Sequence, residues 1–233
     1  MKVALITGGT RGIGLAMGNA FAGAGYAVII TGRDESRLRQ AVAPLKGRAS
    51  SVEGLICDVS DPASVQKLFA AIRENHGSID VLVNNAGVAH ELLTVDKLPL
   101  EIWKKVIDTN LTGTFLITQA ALPLMKAGST IVNNLSVAAL QPFAGMSAYN
   151  ASKFGALGFT KALREEVRKQ GIRVLALIAG ATDTEIWQQF WPDAPRAKMI
   201  SPETVAKAVL HAVSAPPEAT IEEIHIGPTA GVL

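Results

Sequence analysis

The stretch Val3-Ala4-Leu5-Ile6-Thr7-Gly8-Gly9-Thr10-Arg11-Gly12-Ile13-Gly14 joins an apolar run, typical of a buried strand, to a glycine-rich turn and the start of a helix. Such glycines permit a sharp bend and a close approach of the main chain to a pyrophosphate, which the helix N-terminus faces. The turn alone is weak evidence, but its position after the first strand of a βαβ unit favours a dinucleotide site. We predict cofactor contacts from Gly8, Thr10, Arg11, Gly12, Ile13 and Gly14.

Strand-like and helix-like patterns alternate along the rest of the chain. Apolar runs typical of strands cover residues 3–6, 27–31, 54–57, 81–83, 130–132, 173–178 and 221–226. Helical patterns between them cover residues 12–24, 64–74, 102–126, 149–170 and 202–214. The alternation predicts an α/β fold, a Rossmann-type doubly wound parallel sheet with helices on both faces. Ligands are expected at the carboxyl ends of the strands.

Length and composition narrow the class of protein. The 233 residues, 48% of them hydrophobic and 18% charged, suit one large domain over 1–233 with an extensive core. The net charge is only +2 and the sequence has no basic run, so it lacks the positively charged surface that nucleic-acid-binding proteins usually carry. Cys57 is the single cysteine, and we find neither a secretory signal nor a membrane-spanning run, so we expect a soluble, cytoplasmic protein. The four histidines lack ligand spacing, and no metal site is predicted.

Tyr149 and Lys153 stand four residues apart in a predicted helix, so their side chains share one face. A cation held near a phenol favours the phenolate, and lowering the tyrosine pKa by about 2 to 3 units would make it an acid or base at neutral pH. The alternative is a core tyrosine with a surface lysine one turn further on. The pair alone does not decide between them.

The end of the second predicted strand bears on cofactor choice. An NAD site usually carries an acidic residue there for the ribose hydroxyls, whereas this chain has Gly32 followed by Arg33. Arg33 and Arg11 together can flank a 2′-phosphate, which favours NADP(H) over NAD(H). Asp34 is either a displaced ribose ligand or, as we favour, the N-cap of a helix that begins at Glu35.

The third and fourth predicted strands end in further candidate contacts. Asp58 and Val59 follow the third strand, where the carboxylate meets the adenine amino group or else caps a helix that starts near Pro62. After the fourth strand, small and amide residues permit close cofactor approach, although a plain turn has the same composition. The candidates there are Asn85, Ala86 and Gly87.

These motifs occur in the order and spacing of a known family. Residues 7–14, 84–87, Asn110, Ser136 and the Tyr149/Lys153 pair together resemble the short-chain dehydrogenase/reductase family over nearly the whole chain. The resemblance implies about seven parallel strands and a Ser-Tyr-Lys-Asn tetrad. It also implies a homotetramer or homodimer assembled through the helices predicted at 102–126 and 149–170.

The resemblance assigns a role to each member of the tetrad. Tyr149 exchanges a proton with the substrate oxygen, and Ser136 donates a hydrogen bond to the developing oxyanion. Lys153 holds the nicotinamide ribose and lowers the tyrosine pKa. Asn110 holds a water in the proton relay, although from the residues alone it is equally a helix-kink or capping residue. At the nicotinamide end the resemblance implies contacts from Gly180, Thr182 and Thr184, after Ala179 in place of the usual proline.

The segment of residues 184–201, here called the lid, resembles the family's substrate lid. Aromatic and apolar side chains there and in the loop before Tyr149 either form a substrate pocket or pack against their own segments. They are Trp187, Phe190, Trp191, Leu140, Phe143 and Met146. We predict an NADP(H)-dependent oxidoreductase that acts on a small-molecule carbonyl or secondary alcohol. The alternative is a catalytically silent NADP-binding sensor of the same fold.

Overall fold

A computed structural model describes residues 1–47, 51–216 and 218–231. Seven parallel strands form one sheet in the order β3-β2-β1-β4-β5-β6-β7. The strands are β1 Val3–Ile6, β2 Ala27–Gly32, β3 Val52–Ile56, β4 Val81–Asn84, β5 Thr130–Asn134, β6 Arg173–Ala179 and β7 Glu223–Ile226. The helices are α1 Gly12–Gly23, α2 Glu35–Leu45, α3 Pro62–Asn75, α4 Leu100–Ile107, α5 Gly113–Ala121, α6 Ser147–Val167 and α7 Pro202–Val213.

The predicted doubly wound α/β fold is confirmed. In β1, the side chains of Ala4 and Ile6 pack on one face of the sheet, and those of Val3 and Leu5 pack on the other. The first face is covered by α1, α2 and α7, and the second by α3, α5 and α6. The five central strands, β2, β1, β4, β5 and β6, are buried on both faces and therefore read as nearly continuous apolar runs, whereas the edge strands β3 and β7 are partly exposed and carry polar residues.

The strand order reverses between β1 and β4, which lie side by side although two strands separate them in sequence. Chains of this kind open a crevice at the carboxyl ends of the strands at such a reversal. The glycine-rich turn after β1 and the residues after β4 therefore meet at the same point. This meeting point sets the position of the site described below.

The helix predicted at 102–126 is present as an unbroken helical run over residues 100–124, in which the hydrogen-bonding pattern changes along the chain. It begins as α4, widens into a π-helical turn at Asp108–Thr112, continues as α5 and ends in a 3₁₀ turn at Leu122–Leu124. The helix predicted at 149–170 is α6, which begins two residues earlier, at Ser147, and passes into a 3₁₀ turn at Arg168–Gln170. Within the described residues, none of the helices is both long and apolar enough to cross a bilayer.

Two aspartates are the N-caps of α2 and α3, for which the sequence allowed alternatives. The Asp34 carboxylate accepts a hydrogen bond from the Arg37 N–H at 3.0 Å and caps α2, as we favoured. The cap of α3 is Asp61, whose carboxylate accepts from the Ala63 N–H at 3.0 Å. The capping alternative for Asp58 was therefore wrong, because the residue directly before Pro62 takes that position. Asp58 instead accepts hydrogen bonds from Ser60.

Candidate active site

A cavity of about 680 Å³ opens at the carboxyl ends of the strands. It gathers residues from the turn after β1, the ends of β2 to β6, the start of α6 and the lid. Most of the predicted site residues line it, namely Gly8, Thr10, Arg11, Gly12, Ile13, Arg33, Asp58, Val59, Asn85, Ala86, Gly87, Ser136, Tyr149, Lys153, Gly180, Thr182 and Thr184. Gly14 and Asn110 lie behind this lining rather than in it.

The glycine turn is shaped by positions that exclude a side chain. Gly8 and Gly12 have φ of +62° and +52°, a conformation that residues with a Cβ rarely adopt. A Cβ at Gly14 would stand 2.4 Å from the Gly8 oxygen and 2.3 Å from the Asn85 amide nitrogen. Gly14 therefore serves the packing of the turn and does not face the cavity. The turn presents bare main chain at the N-terminus of α1, where N–H groups lack helical partners.

Four asparagines at the ends of β4 and β5, residues Asn84, Asn85, Asn133 and Asn134, form what we call the amide floor. The Asn85 amide nitrogen donates to the Thr7 and Gly8 carbonyls at 2.9 and 3.0 Å. Asn134 donates to the Asn85 side-chain oxygen at 2.8 Å, and Asn84 donates to that of Asn133 at 2.8 Å. The floor thus ties the glycine turn to β4 and β5. Asn134 was not among the predicted site residues, yet it lines the cavity.

Tyr149 and Lys153 face the cavity together, with the lysine Nζ 5.6 Å from the centre of the tyrosine ring. Lys153 is only 8% exposed, so the alternative of a surface lysine was wrong. Its Nζ donates to the Asn134 main-chain oxygen at 2.9 Å, so the amide floor also positions this ammonium group.

The protonation of the pair is dominated by burial. Burial lowers the pKa of Lys153 to about 8, because the charged ammonium loses hydration. Burial also raises the pKa of Tyr149, and a hydrogen bond with Ser136 offsets only part of that rise. The expectation that the neighbouring lysine lowers the tyrosine pKa is therefore wrong for the protein alone. At neutral pH the phenol holds its proton.

Asn110 lies in the π-helical turn between α4 and α5 and is 3% exposed. Its side-chain oxygen accepts from the Val88 N–H at 2.8 Å, and its amide nitrogen donates to the Val88 carbonyl at 2.9 Å and to Ser152 Oγ at 3.0 Å. These bonds join the turn to the loop after β4 and to α6, which fits the helix-kink alternative. The water-holding role of Asn110 stays a prediction.

The end of the cavity beside β2 carries positive charge. Arg11, Arg33 and Arg37 line it, and the Arg33 guanidinium lies 3.9 Å from the Asp58 carboxylate. Partial burial tends to raise the pKa of Asp58, but hydrogen bonds from Ser60 and the charge of Arg33 outweigh it and hold that pKa below its usual value. Arg37 was missed from the sequence. The sequence signal for it was the position of Arg37 in the first turn of α2, three residues after the capping Asp34.

The lid contributes an aromatic wall. Trp187, Phe190 and Trp191 all line the cavity, with ring centres 4.9 Å apart for Trp187 and Phe190 and 6.1 Å apart for Trp187 and Trp191. They therefore pack against one another and also form the pocket, so both sequence-based alternatives hold. Phe143 and Met146 line the cavity as well. Leu140 does not, since it points outward and is 47% exposed.

Several hydrogen bonds fasten the lid to the body of the protein, and two of them are made by side chains that line the cavity. The Trp187 indole N–H donates to the Thr182 carbonyl at 2.8 Å, which fixes the ring beside β6. The Gln189 side-chain oxygen accepts from the Ala89 N–H at 3.0 Å, which joins the lid to the loop after β4. Gln189 was missed because its partner lies 100 residues away in sequence.

Comparison with known proteins gives consistent matches. The family model described as "short chain dehydrogenase" matches residues 2–195. A putative ketoacyl reductase of the granaticin polyketide synthase from Streptomyces violaceoruber is 41% identical over 186 residues, covering 78% of this chain and 68% of the relative. Dehydrogenase/reductase SDR family member 4 from Bos taurus is 36% identical over 201 residues, covering 85% of this chain and 72% of the relative.

The fold is also shared with a solved structure along nearly its full length. An alcohol dehydrogenase from the archaeon Thermococcus sibiricus, complexed with 5-hydroxy-NADP, superposes with a TM-score of 0.91 at 28% identity and covers 99% of this chain and 98% of its own. The family model covers most of the chain, and the two curated relatives exceed 30% identity over most of their own length. This protein therefore belongs to the short-chain dehydrogenase family of oxidoreductases.

Proposed function

We propose that this protein is an NADP(H)-dependent oxidoreductase that interconverts a ketone or aldehyde with its alcohol. The observation that carries the proposal is that Ser136, Tyr149 and Lys153 line the same cavity as the glycine turn. Hydrogen-bond donors, an acid and a cation then lie beside a dinucleotide cradle. The name of the Streptomyces relative, a ketoacyl reductase, supports carbonyl reduction as the reaction.

The residues present fit NADP(H). Gly8 and Gly12 bring bare main chain to the cavity lining, where a pyrophosphate can approach it, and Arg11, Arg33 and Arg37 supply cations where a 2′-phosphate would lie. The position that often carries a ribose-binding carboxylate is Gly32, and a Cβ there would stand only 2.6 Å from the Thr10 methyl carbon. The 5-hydroxy-NADP in the archaeal enzyme supports the same choice.

When bound, NADPH supplies the hydride that reduces the carbonyl carbon. Tyr149, kept protonated by burial, donates its proton to the carbonyl oxygen, and the products are the alcohol and NADP⁺. Ser136 donates a hydrogen bond to the charge that develops on that oxygen. Lys153, held by the Asn134 carbonyl, places positive charge beside the tyrosinate, which then recovers its proton from water.

The test uses the two tyrosines of the chain. NADPH consumption is followed with ketones, aldehydes and quinones, and NADPH affinity is titrated separately. Tyr149→Phe should lower kcat by about 10³-fold, since a positioned general acid contributes about 10² to 10⁴-fold, and should leave NADPH affinity nearly unchanged. The matched control is Tyr26→Phe, because Tyr26 packs edge-on against Phe21 in the core. Near-normal turnover by Tyr149→Phe would overturn the assignment. A wild type that binds NADPH and reduces no substrate would instead be the silent sensor.

We further propose that the chain assembles as a homodimer or homotetramer. Phe115 on α5 and Phe154 on α6 are 42% and 45% exposed, and the Phe115 ring packs edge-on against Phe159 at 6.2 Å between centres. Exposed aromatic rings on neighbouring helices favour burial against a second copy. Light scattering should give a mass above 24.5 kDa, and Phe115→Glu with Phe154→Glu should reduce it to 24.5 kDa.

A further inference from the structure

The two ends of the cavity differ in charge. The charged residues that line it are Arg11, Arg33, Asp34, Arg37, Asp58, Lys153 and Glu185. The first five belong to the turn after β1, the ends of β2 and β3 and the start of α2. The Lys153 Nζ lies 5.6 Å from the centre of the Tyr149 ring, and Glu185 lies beside Gly12. Among the described lining residues, the segments 88–92, 135–146 and 186–191 contribute no charged side chain.

Those three segments, whose lining side chains are uncharged, are joined to one another by hydrogen bonds. The Leu93 N–H donates to the Gly145 carbonyl at 3.0 Å, and the Ala89 N–H donates to Gln189 at 3.0 Å. Gly145 has a φ of +79°, and a Cβ there would stand 3.3 Å from Leu92. The loop after β4, the loop before α6 and the lid therefore form one wall.

Most side chains that this wall contributes to the cavity are apolar, the exceptions being Ser136 and Gln189. Phe143, Met146, Trp187 and Phe190 line the interior. At the rim, Leu92 and Trp191 are 54% and 40% exposed, so apolar surface continues to the mouth. The Trp187 ring is fixed by its bond to Thr182, so a flat face is available without reordering the ring.

We propose that the substrate end of the cavity selects an uncharged ketone carried on an apolar ring system, with Trp187 and Phe190 as the ring-binding wall. The inference rests on the proposed function and names its substrate class. A carboxylate on the substrate would lose hydration against this wall without gaining a counter-cation, and the phosphates of a coenzyme A thioester would find no cation among the lining side chains of these three segments. A ring gains contact area there instead.

The first test compares matched substrates at saturating NADPH. We expect kcat/KM for 1-tetralone to exceed that for a carboxy-substituted 1-tetralone by about 100-fold, and acetoacetyl-coenzyme A to be poorer still. Phe190→Ala should lower kcat/KM for 1-tetralone by about 10-fold, mainly through KM, and leave NADPH affinity unchanged. Trp103→Ala is the control, because Trp103 lies on α4 outside the cavity lining.

A gain of function sharpens the test. Leu92→Arg places a cation at the rim, and it should raise kcat/KM for the carboxylated tetralone relative to 1-tetralone by about 10-fold or more. If the wild type already prefers the carboxylated ketone or the coenzyme A thioester, the inference is overturned while the proposed function stands. An unchanged substrate ratio in Leu92→Arg also counts against the inference.

A binding measurement separates this inference from the proposed function. The chain has three tryptophans, so Trp103→Phe leaves only the lid residues Trp187 and Trp191 to emit. In the NADP⁺-saturated Trp103→Phe protein, 1-tetralone should quench that emission at lower concentration than its carboxylated analogue. Quenching without turnover of any ketone would reject the proposed function and keep the apolar subsite. Equal quenching by both compounds, or none by 1-tetralone, would reject the subsite.

Discussion

The amide floor, through Asn85 and Asn134, and the lid both line the same cavity, and they are built in different ways. The floor consists of short polar side chains at strand ends, largely buried and joined to the glycine turn and Lys153 by bonds of 2.8 to 3.0 Å. The lid is mostly irregular chain with two 3₁₀ turns, Glu185–Gln189 and Arg196–Lys198, and its aromatic rings, in and just after the first turn, are partly exposed. The contrast indicates that the sheet edge positions the chemistry and that the loops select the substrate.

Substitutions in the amide floor should change stability and cofactor binding more than substitutions in the lid do. Asn85→Leu removes the donor to two carbonyls and the acceptor for Asn134. Lost buried hydrogen bonds cost about 1 to 3 kcal/mol each, so we expect unfolding free energy to fall by about 2 to 4 kcal/mol and NADPH affinity to fall with it. Denaturant unfolding measures the change. Asn75→Ala, at an exposed helix end, is the control. Equal stability of the two variants would show that the amide floor is no more important for stability than an exposed position.

Substitutions at the charged end of the cavity should have the next largest effect. They should change the preference between NADP and NAD rather than stability. Arg33→Ala removes a cation whose exposed partner Asp58 lies 3.9 Å away, a pair worth little to folding. A charge-assisted hydrogen bond to the 2′-phosphate is worth about 1.5 to 3 kcal/mol, so the preference for NADP over NAD should fall by about 10 to 100-fold. Titration of both cofactors measures this ratio. Arg39→Ala, with a solvent-exposed side chain on α2, should leave it unchanged.

The pH dependence tests the link between floor and cofactor through Lys153. Its pKa is lowered to about 8, so the charged form is present below pH 8 and lost above it. We expect kcat/KM for NADPH to decline above pH 8, by up to about 10-fold per unit. Lys153→Arg, which stays charged, should lack this decline.

The lowered pKa of Lys153 affects stability in the direction opposite to its effect on NADPH binding. Between pH 8 and 9 the unfolded chain still holds the lysine proton that the folded protein releases, so this group's contribution to stability rises with pH. A loss of NADPH binding accompanied by loss of fold in that range would contradict the assignment to Lys153.

The lid should show the smallest effect, confined to substrate binding. Gln189→Ala removes the acceptor for the Ala89 N–H, a partly buried bond worth about 1 kcal/mol. KM for the ketone should rise by about 5-fold with kcat and NADPH affinity preserved. The adjacent and exposed Gln188→Ala is the matched control. A loss of kcat in Gln189→Ala as large as that in the floor variant would show that the lid also positions the chemistry.

The sequence predicted those features that depend on local spacing. The alternation of strands and helices, the glycine turn and the shared face of Tyr149 and Lys153 follow from patterns within a few residues. The order of the strands in the sheet was not predicted, because it depends on pairing between distant segments. The bonds that Asn110, in the π-helical turn, makes to Val88 do not follow from such patterns, because the two residues are 22 positions apart. The role of Asn134 likewise depends on a bond to Asn85, 49 residues away. Burial reversed the expected tyrosine pKa, and burial is a property of the completed fold.

The sequence separation across the amide floor has a consequence for how the protein folds. Asn85 bonds to residues 77 and 78 positions earlier, and its partner Asn134 lies 49 positions later. Closing such long loops costs entropy before any contact is gained, which makes parallel sheets slow to form. We therefore expect the floor to assemble late in folding. The main-chain amide protons of Asn85 and Ala86, which bond to Thr7 Oγ1, should then exchange with deuterium only through near-global unfolding.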